Sequence, residues 1–193
     1  MEIVLENISK RFIKSYIIKG FSHHFTSGNV YGIQGSNGSG KSTLLKIISG
    51  AMVPSSGNLI FQVNGQTIGS DKVYNFLSYY ASGDEMIEEF TPKEVFAYVS
   101  QFCPQNTDYQ EFIDFVDLKA ESNQYIDTFS SGMKQRLSLG LILNSKKPIL
   151  LFDEPVTYLD EERKAWFYQA IAKIKATKEK LSIIASNEWY DFK

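Results

Sequence analysis

The chain has 193 residues, about 1.3 times a typical domain of roughly 150, so one domain with room for an inserted part is expected and a large multidomain machine is excluded. Hydrophobic residues at 43% and charged residues at 22% supply a sizeable core and leave no case for general disorder. Twenty Lys plus Arg against 22 Asp plus Glu give a net charge of -2, which provides no broad positive field to gather nucleic acid but leaves a local phosphate site open.

Met1 is followed by the mixed stretch Glu2 to Asn7, without the basic and apolar regions of a secretory leader, and no run of about 18 apolar residues follows anywhere. The expectation is a cytoplasmic or peripheral protein that does not itself span a membrane. Cys103 has no second cysteine to pair with, which fits a reducing compartment and a packing role.

In chain order, Ile3 to Leu5 and Val30 to Ile33 read as buried strands, with His23 and His24 at a surface or strand end between them. A helix follows through Leu44, Leu45, Ile47 and Ile48 and stops at Gly50. The turn signals Pro54-Ser55-Ser56-Gly57 and Asn64-Gly65 bracket Asn58 to Val63 and predict a hairpin hanging on the first half. Thr91 to Leu118 carries many aromatics among acids and amides and reads as helical and partly exposed. Met133, Leu137 and Leu141 continue the helical period, and Ile149 to Phe152 and Ser182 to Ala185 return to strand. Strands interleaved with helices predict an α/β fold with a mainly parallel central sheet, an N-terminal antiparallel β portion and an inserted α-helical subdomain.

The strand Val30 to Ile33 runs into Gly35-Ser36-Asn37-Gly38-Ser39-Gly40-Lys41-Ser42-Thr43, which satisfies G-x-x-x-x-G-K-[ST] and enters a helix, in the order this phosphate loop requires. The residue types follow from the ligand. A polyphosphate is bulky, multiply charged and rich in acceptors. Gly35, Gly38 and Gly40 let the backbone come close and turn successive N–H groups toward the anion at a helix start. Lys41 adds a mobile positive charge for the β and γ phosphates, Ser42 a hydroxyl for Mg²⁺, and Thr43 support for the α phosphate.

Pro148 to Pro155 then places Asp153 and Glu154 at the C-terminal edge of an apolar strand, where open α/β sheets hold their ligands. This suits a Walker B element, with Asp153 facing the Mg²⁺ shell and Glu154 polarising the water that attacks the γ phosphate.

With these segments, the chain resembles the nucleotide-binding domain of ATP-binding-cassette (ABC) proteins over nearly its whole length. Phe129-Ser130-Ser131-Gly132-Met133-Lys134-Gln135-Arg136 is similar to that family's L-S-G-G-Q signature, and Asp153 to Asp160 to its D-E-P-T-S-x-L-D run, which makes Asp160 the D-loop aspartate. The resemblance implies one nucleotide-binding domain over 1–193. Its ATP-binding core would comprise 1–81 and 137–193, and its helical subdomain, about 82–136, would carry the signature. It also implies a head-to-tail dimer in which ATP lies between the phosphate loop of one subunit and Ser130, Ser131, Gly132 and Met133 of the other. Read alone, Ser130 to Gly132 also suits a helix cap. Phe12, 23 residues before Gly35, stands where the family places the aromatic that stacks on adenine; a core role for Phe12 and a competing Tyr16 stay open.

Four positions depart from the family pattern. Asn187 stands where the family has its switch histidine, and an amide can donate a neutral hydrogen bond but cannot become a cation; capping a turn is the other reading of Asn187. Ser82 stands in place of the Q-loop glutamine after Leu77 to Ala81, with a reach about 2 to 3 Å shorter. Ser131 and Met133 also differ from the signature. The chain stops at Lys193, six residues past Asn187, where related domains continue.

The resulting expectation is an ATP-binding subunit with retained Mg-ATP binding and slowed hydrolysis, which drives a separate transmembrane subunit and pairs with a second ABC subunit, identical or not. Its place on the inner face of the cell membrane is what the family resemblance implies. Its docking surface is expected on the helical segment from Ser82 to Leu118, unless those aromatics simply pack. The alternatives are a regulatory nucleotide-binding module with negligible hydrolysis, and a soluble ABC protein acting on nucleic acid or ribosomes.

Overall fold

A computed structural model describes residues 1–13, 15–63, 65–83, 86–157 and 159–187. Asn64 of the predicted turn, Tyr158 of the D-loop run and the terminal Lys193 lie outside the described residues. In chain order the elements are β1 (Glu2–Phe12), β2 (Ser15–Thr26), β3 (Val30–Gln34), α1 (Lys41–Ile48), β4 (Ser56–Val63), β5 (Gln66–Ile68), β6 (Leu77–Ala81), α2 (Pro92–Phe102), α3 (Tyr109–Phe115), α4 (Ser131–Leu143), β7 (Ile149–Asp153), α5 (Glu161–Thr177) and β8 (Leu181–Ser186).

Two four-stranded sheets result, an antiparallel one in the order β2-β1-β4-β5 and a parallel one in the order β3-β8-β7-β6. In β1 the buried residues change parity from Ile3 and Leu5 to Ile8. The pairing register shifts between Leu5 and Ile8, and Asn7 there has φ 51°, so a bulge adds one residue and resets which side chains face inward. The predicted hairpin is corrected by this sheet. Asn58 to Val63 does pair with β5, but β4 also pairs along β1 and buries Phe61, so it is a working strand of the sheet and not an appendage.

Every residue of β7 and β8 is buried, as continuous apolar strands covered on both faces must be. On one face Ile149, Leu151, Ile183 and Ala185 pack with Leu44, Leu45, Ile47 and Ile48 of α1 and with the antiparallel sheet. On the other, Leu150, Phe152 and Ile184 meet Phe167 and Ile171 of α5.

Helices α2, α3 and α4 enclose a third cluster that includes Val95, Phe96, Phe112, Ile113, Leu137 and Leu141. Helix α2 starts on a capping box in which Thr91 and Glu94 each bond the other's backbone, and these Thr91 hydrogen bonds hold the Glu94 carboxyl below its usual pKa. The aromatics divide: Phe96 and Phe112 lie with ring centroids 4.8 Å apart in the core, while Tyr98 and Phe102 stay 45% and 68% exposed. Hydrogen bonds that fasten these helices to the rest include those from Trp166 Nε1 to Phe115 O at 3.0 Å and from Gln135 Nε2 to Pro155 O at 2.8 Å. Among the described residues no helix is long and apolar enough to cross a membrane.

Gly140 of α4 faces the C-terminal half of α3 and its cap: a Cβ there would strike Val116 Cγ1 and lie 3.3 Å from Phe112 Cε2. Gly→Ala in an open helix gains about 0.5–1 kcal/mol. Here Gly140→Ala is expected to lose about 1–3 kcal/mol through overpacking, read as a lower urea midpoint at unchanged slope.

Candidate functional site

Strand β3 ends at Gln34 and α1 begins at Lys41, and the six residues between them make a tight loop. Gly38 and Gly40 have φ of 79° and 99°, conformations that side chains strain to adopt. Space also excludes a side chain at Gly40, where a Cβ would stand 2.8 Å from Ile17 Cγ2. No side chain caps α1 and its first turn holds no acid, so its leading N–H groups and the positive end of its dipole are left for an anion.

Lys41 is the hub. Its side chain is only 6% exposed, and its Nζ donates to Gly35 O at 2.8 Å, Ser36 O at 3.2 Å and Asn187 Oδ1 at 2.5 Å, and lies 3.1 Å from Glu154 Oε1. A buried ammonium needs such a shell of oxygens. Glu154 reaches it because the residue just past β7 adopts φ 50°, a left-handed turn that costs energy for a non-glycine and swings the carboxylate across the end of the sheet. Its own N–H anchors on Ala185 O at 2.9 Å, and its Oε2 accepts from Thr157 Oγ1 at 3.2 Å and from the Asn187 N–H at 3.3 Å. Asn187, just beyond β8, completes the ring by donating from Nδ2 to Asn37 Oδ1 at 2.6 Å.

A few ångströms along the same edge, Ser42 Oγ donates to Asp153 Oδ1 at 3.0 Å, while the Tyr79 hydroxyl donates to Asp153 Oδ2 at 3.3 Å. Among the described residues no group of three His, Cys, Asp or Glu could hold a metal on its own. A hydroxyl beside a single carboxylate instead suits Mg²⁺, which binds through few protein oxygens and shares phosphate oxygens of a substrate.

Of the residues expected from sequence, the structure gathers Gly35 to Ser42, Asp153, Glu154 and Asn187 at one place, with Thr43 half-buried on the first turn of α1. Others sit apart. Phe12 closes β1 opposite Ser15, 43% exposed, with Lys10 Nζ 5.4 Å from its ring centroid; Tyr16 is 54% exposed beneath Arg11. Both belong to the hairpin whose Ile17 abuts Gly40. Ser82 bonds through its N–H to the main-chain Asp153 O at 3.1 Å. Ser130 caps α4 by accepting from Met133 N at 3.3 Å, Ser131 opens the helix, and Met133 packs against the third cluster. Gly132 is buried where a Cβ would meet Arg163 Nη1 at 2.5 Å. Asp160 caps α5 and pairs with Arg163 at 3.1 Å. Sequence reasoning missed Tyr79 and Thr157. Strand alternation places Tyr79 and Ala81 on one face, but the parallel register of Ala81 with Asp153 is what turns that face toward the carboxylate.

A glycine-rich loop opening a helix at the C-terminal edge of a parallel sheet, with acids from β7, two strands over in the same sheet, defines a P-loop nucleotide-binding protein. The ABC transporter family profile matches residues 18–157. The uncharacterized ABC transporter ATP-binding protein YybJ of Bacillus subtilis is 30% identical over 178 residues, covering 88% of this chain and 78% of that protein. Two further B. subtilis relatives are matched over 57% and 50% of their lengths. Among solved structures, a putative ABC transporter ATP-binding protein from Pyrococcus furiosus superposes with a TM-score of 0.85 at 23% identity, over 99% of this chain and 94% of that one. The dimeric structure of MJ0796, a bacterial ABC transporter cassette, gives 0.80 at 20% identity, over 96% and 88%. The chain belongs to the ABC transporter family, as an ATP-binding component of the kind that family uses.

Gly40→Ala is expected to destabilise the protein by about 1–3 kcal/mol through its left-handed backbone and the close approach of Ile17. Gly32→Ala, with nothing within 4 Å of the added carbon and no positive φ, stays within about 0.5 kcal/mol. Paired denaturant unfolding curves of the two variants check the contrast.

Proposed function

We propose that this protein binds Mg-ATP in the loop around Lys41 and hydrolyses it slowly, in a head-to-tail dimer that drives a separate transmembrane subunit. The observation that carries this reading is the convergence on Lys41 of Glu154 and Asn187 from two neighbouring strands. Gly35 to Thr43 wrap the phosphates, and Lys41 exchanges its resident oxygens for those of the β and γ phosphates. Ser42 and Asp153 are the residues that would hold Mg²⁺, which when bound neutralises phosphate charge. Glu154, 3.1 Å from Lys41 and tethered by Thr157, orients and deprotonates the attacking water. Phe12, with Tyr16 as its competitor, offers a face to adenine beside Gly40.

The dimer reading rests on where the signature lies. Ser130 to Met133 open α4, and Gly132 lies against Arg163, the ion-pair partner of Asp160; in this reading the segment serves the nucleotide of a second subunit. MJ0796, of similar fold, is a dimer. In this reading residues 1–81 and 137–193 form the ATP-binding core and about 82–136 a helical part. Tyr98 and Phe102 present that part's exposed aromatic surface to the membrane subunit, which holds the protein at the inner face of the membrane.

Slow turnover follows from two side chains. The Asn187 amide bonds Lys41 without adding positive charge, and the Ser82 side chain is about 2 to 3 Å shorter in reach than the glutamine of the family pattern. The same two observations favour, as a second reading, a regulatory subunit whose nucleotide-driven pairing matters more than its hydrolysis.

Titration of the purified protein with Mg-ATP tests the reading. Lys41→Ala is expected to weaken binding about 10- to 100-fold. Glu154→Gln keeps binding and loses about 10²- to 10⁴-fold in turnover, measured as phosphate release. Asn187→His is expected to raise turnover toward 10²-fold, roughly the worth of one well-placed donor. A parent protein that binds no nucleotide ends the proposal; one that binds without turnover leaves the regulatory reading.

A further inference from the structure

We infer that Tyr79 is a positioning residue for the metal-facing carboxylate of Asp153, an inference that rests on the Mg-ATP reading above. The placement begins with the backbone. Strand β6 runs parallel to β7 with Tyr79 opposite Leu151 and Ala81 opposite Asp153, so Tyr79, Ala81 and Asp153 share the face that packs on α1. The Tyr79 ring is half-buried against the cluster that contains Leu151 and Ile183, which limits its swing. Its hydroxyl then donates to Asp153 Oδ2 at 3.3 Å, while Ser42 Oγ donates to Oδ1 at 3.0 Å. With each oxygen engaged from a different element, the carboxylate plane is fixed, and its remaining lone pairs stay available at the edge beside Ser42.

The substitution at Ser82 gives this contact its weight. The residue that follows β6 bonds Asp153 through its N–H on the main-chain oxygen, at 3.1 Å. A side-chain hydrogen bond from β6 to the carboxylate comes from Tyr79, two residues upstream of the strand's end. At 3.3 Å the bond is longer than a relaxed O–H···O contact of about 2.7–2.8 Å. It therefore contributes direction more than fold stability. Residues of this kind, which hold a metal ligand without touching the metal, typically change metal affinity about 10- to 100-fold when removed.

Tyr79→Phe removes the hydroxyl and keeps the ring. The experiment compares ATP affinity in excess Mg²⁺ with ATP affinity in EDTA, by displacement of a fluorescent ATP analogue, and follows Mn²⁺ binding to the ATP complex by electron paramagnetic resonance. The expected result is a metal-free ATP affinity within about two-fold of the parent, a Mg²⁺-dependent gain reduced about 10-fold and a matching loss in Mn²⁺ affinity, at an unchanged unfolding midpoint. Ser42→Ala, which removes a proposed ligand, marks the scale of a full loss. A variant that keeps the parent's Mg²⁺ gain overturns the inference, as does one that loses both affinities equally, the mark of a packing role. A parent that binds ATP with no Mg²⁺ gain removes the metal part of the inference, and a parent that binds no nucleotide removes the functional reading beneath it.

Discussion

The structure depends on one buried ammonium. Lys41 sits at the first turn of a helix with 6% of its side chain exposed, and a charge so placed is tolerated only where oxygens surround it. Those oxygens come from Gly35 and Ser36 of its own loop, from Glu154 after one central strand and from Asn187 after the next. Three segments distant in sequence are thereby held at one point. The strained turn at Glu154 and the glycine conformations at Gly38 and Gly40 are local costs of that convergence, repaid by the cation they enclose.

Much of this was legible in the sequence because the loop spells its own geometry. Gly35, Gly38 and Gly40 mark backbone that must come close or turn left-handed, and the apolar run before Asp153 and Glu154 announces a buried strand with its acids at the edge. Strands β7 and β8 are readable for the same reason, since burial on both faces leaves no polar alternation. What depends on pairing between distant strands was not legible. The bulge at Asn7 resets the parity of β1, and β4, expected as an appended hairpin, instead joins β1 because Phe61 belongs to the main core. The contact of Tyr79 with Asp153 required the register of β6 on β7, which nothing in either strand's composition fixes. The aromatics of 91–118 divided between core and surface according to which face of α2 and α3 each occupied, a matter settled by packing against α4.

Asn187 and Ser82 meet the site in different ways, one through its side chain on Lys41 and the other through its main-chain N–H on Asp153. Asn187 keeps the hydrogen-bonding role open to its position, with one end of the amide on Lys41 and the other on Asn37, so it is placed to register what occupies the loop even without a charge of its own. Ser82 is linked to Asp153 through the main chain, a bond that does not depend on its side chain.

The strand order β3-β8-β7-β6 separates what is stationary from what can yield. Asp153, Glu154 and Asn187 leave the two inner strands, each laced to a neighbour on either side, whereas the glycine loop and Ser82 leave the two outer strands, each laced on one side within this sheet. A load applied at the open end therefore bends the rim before it disturbs the middle, like jaws closing on an anvil, and the acids keep their aim while the walls around them adjust.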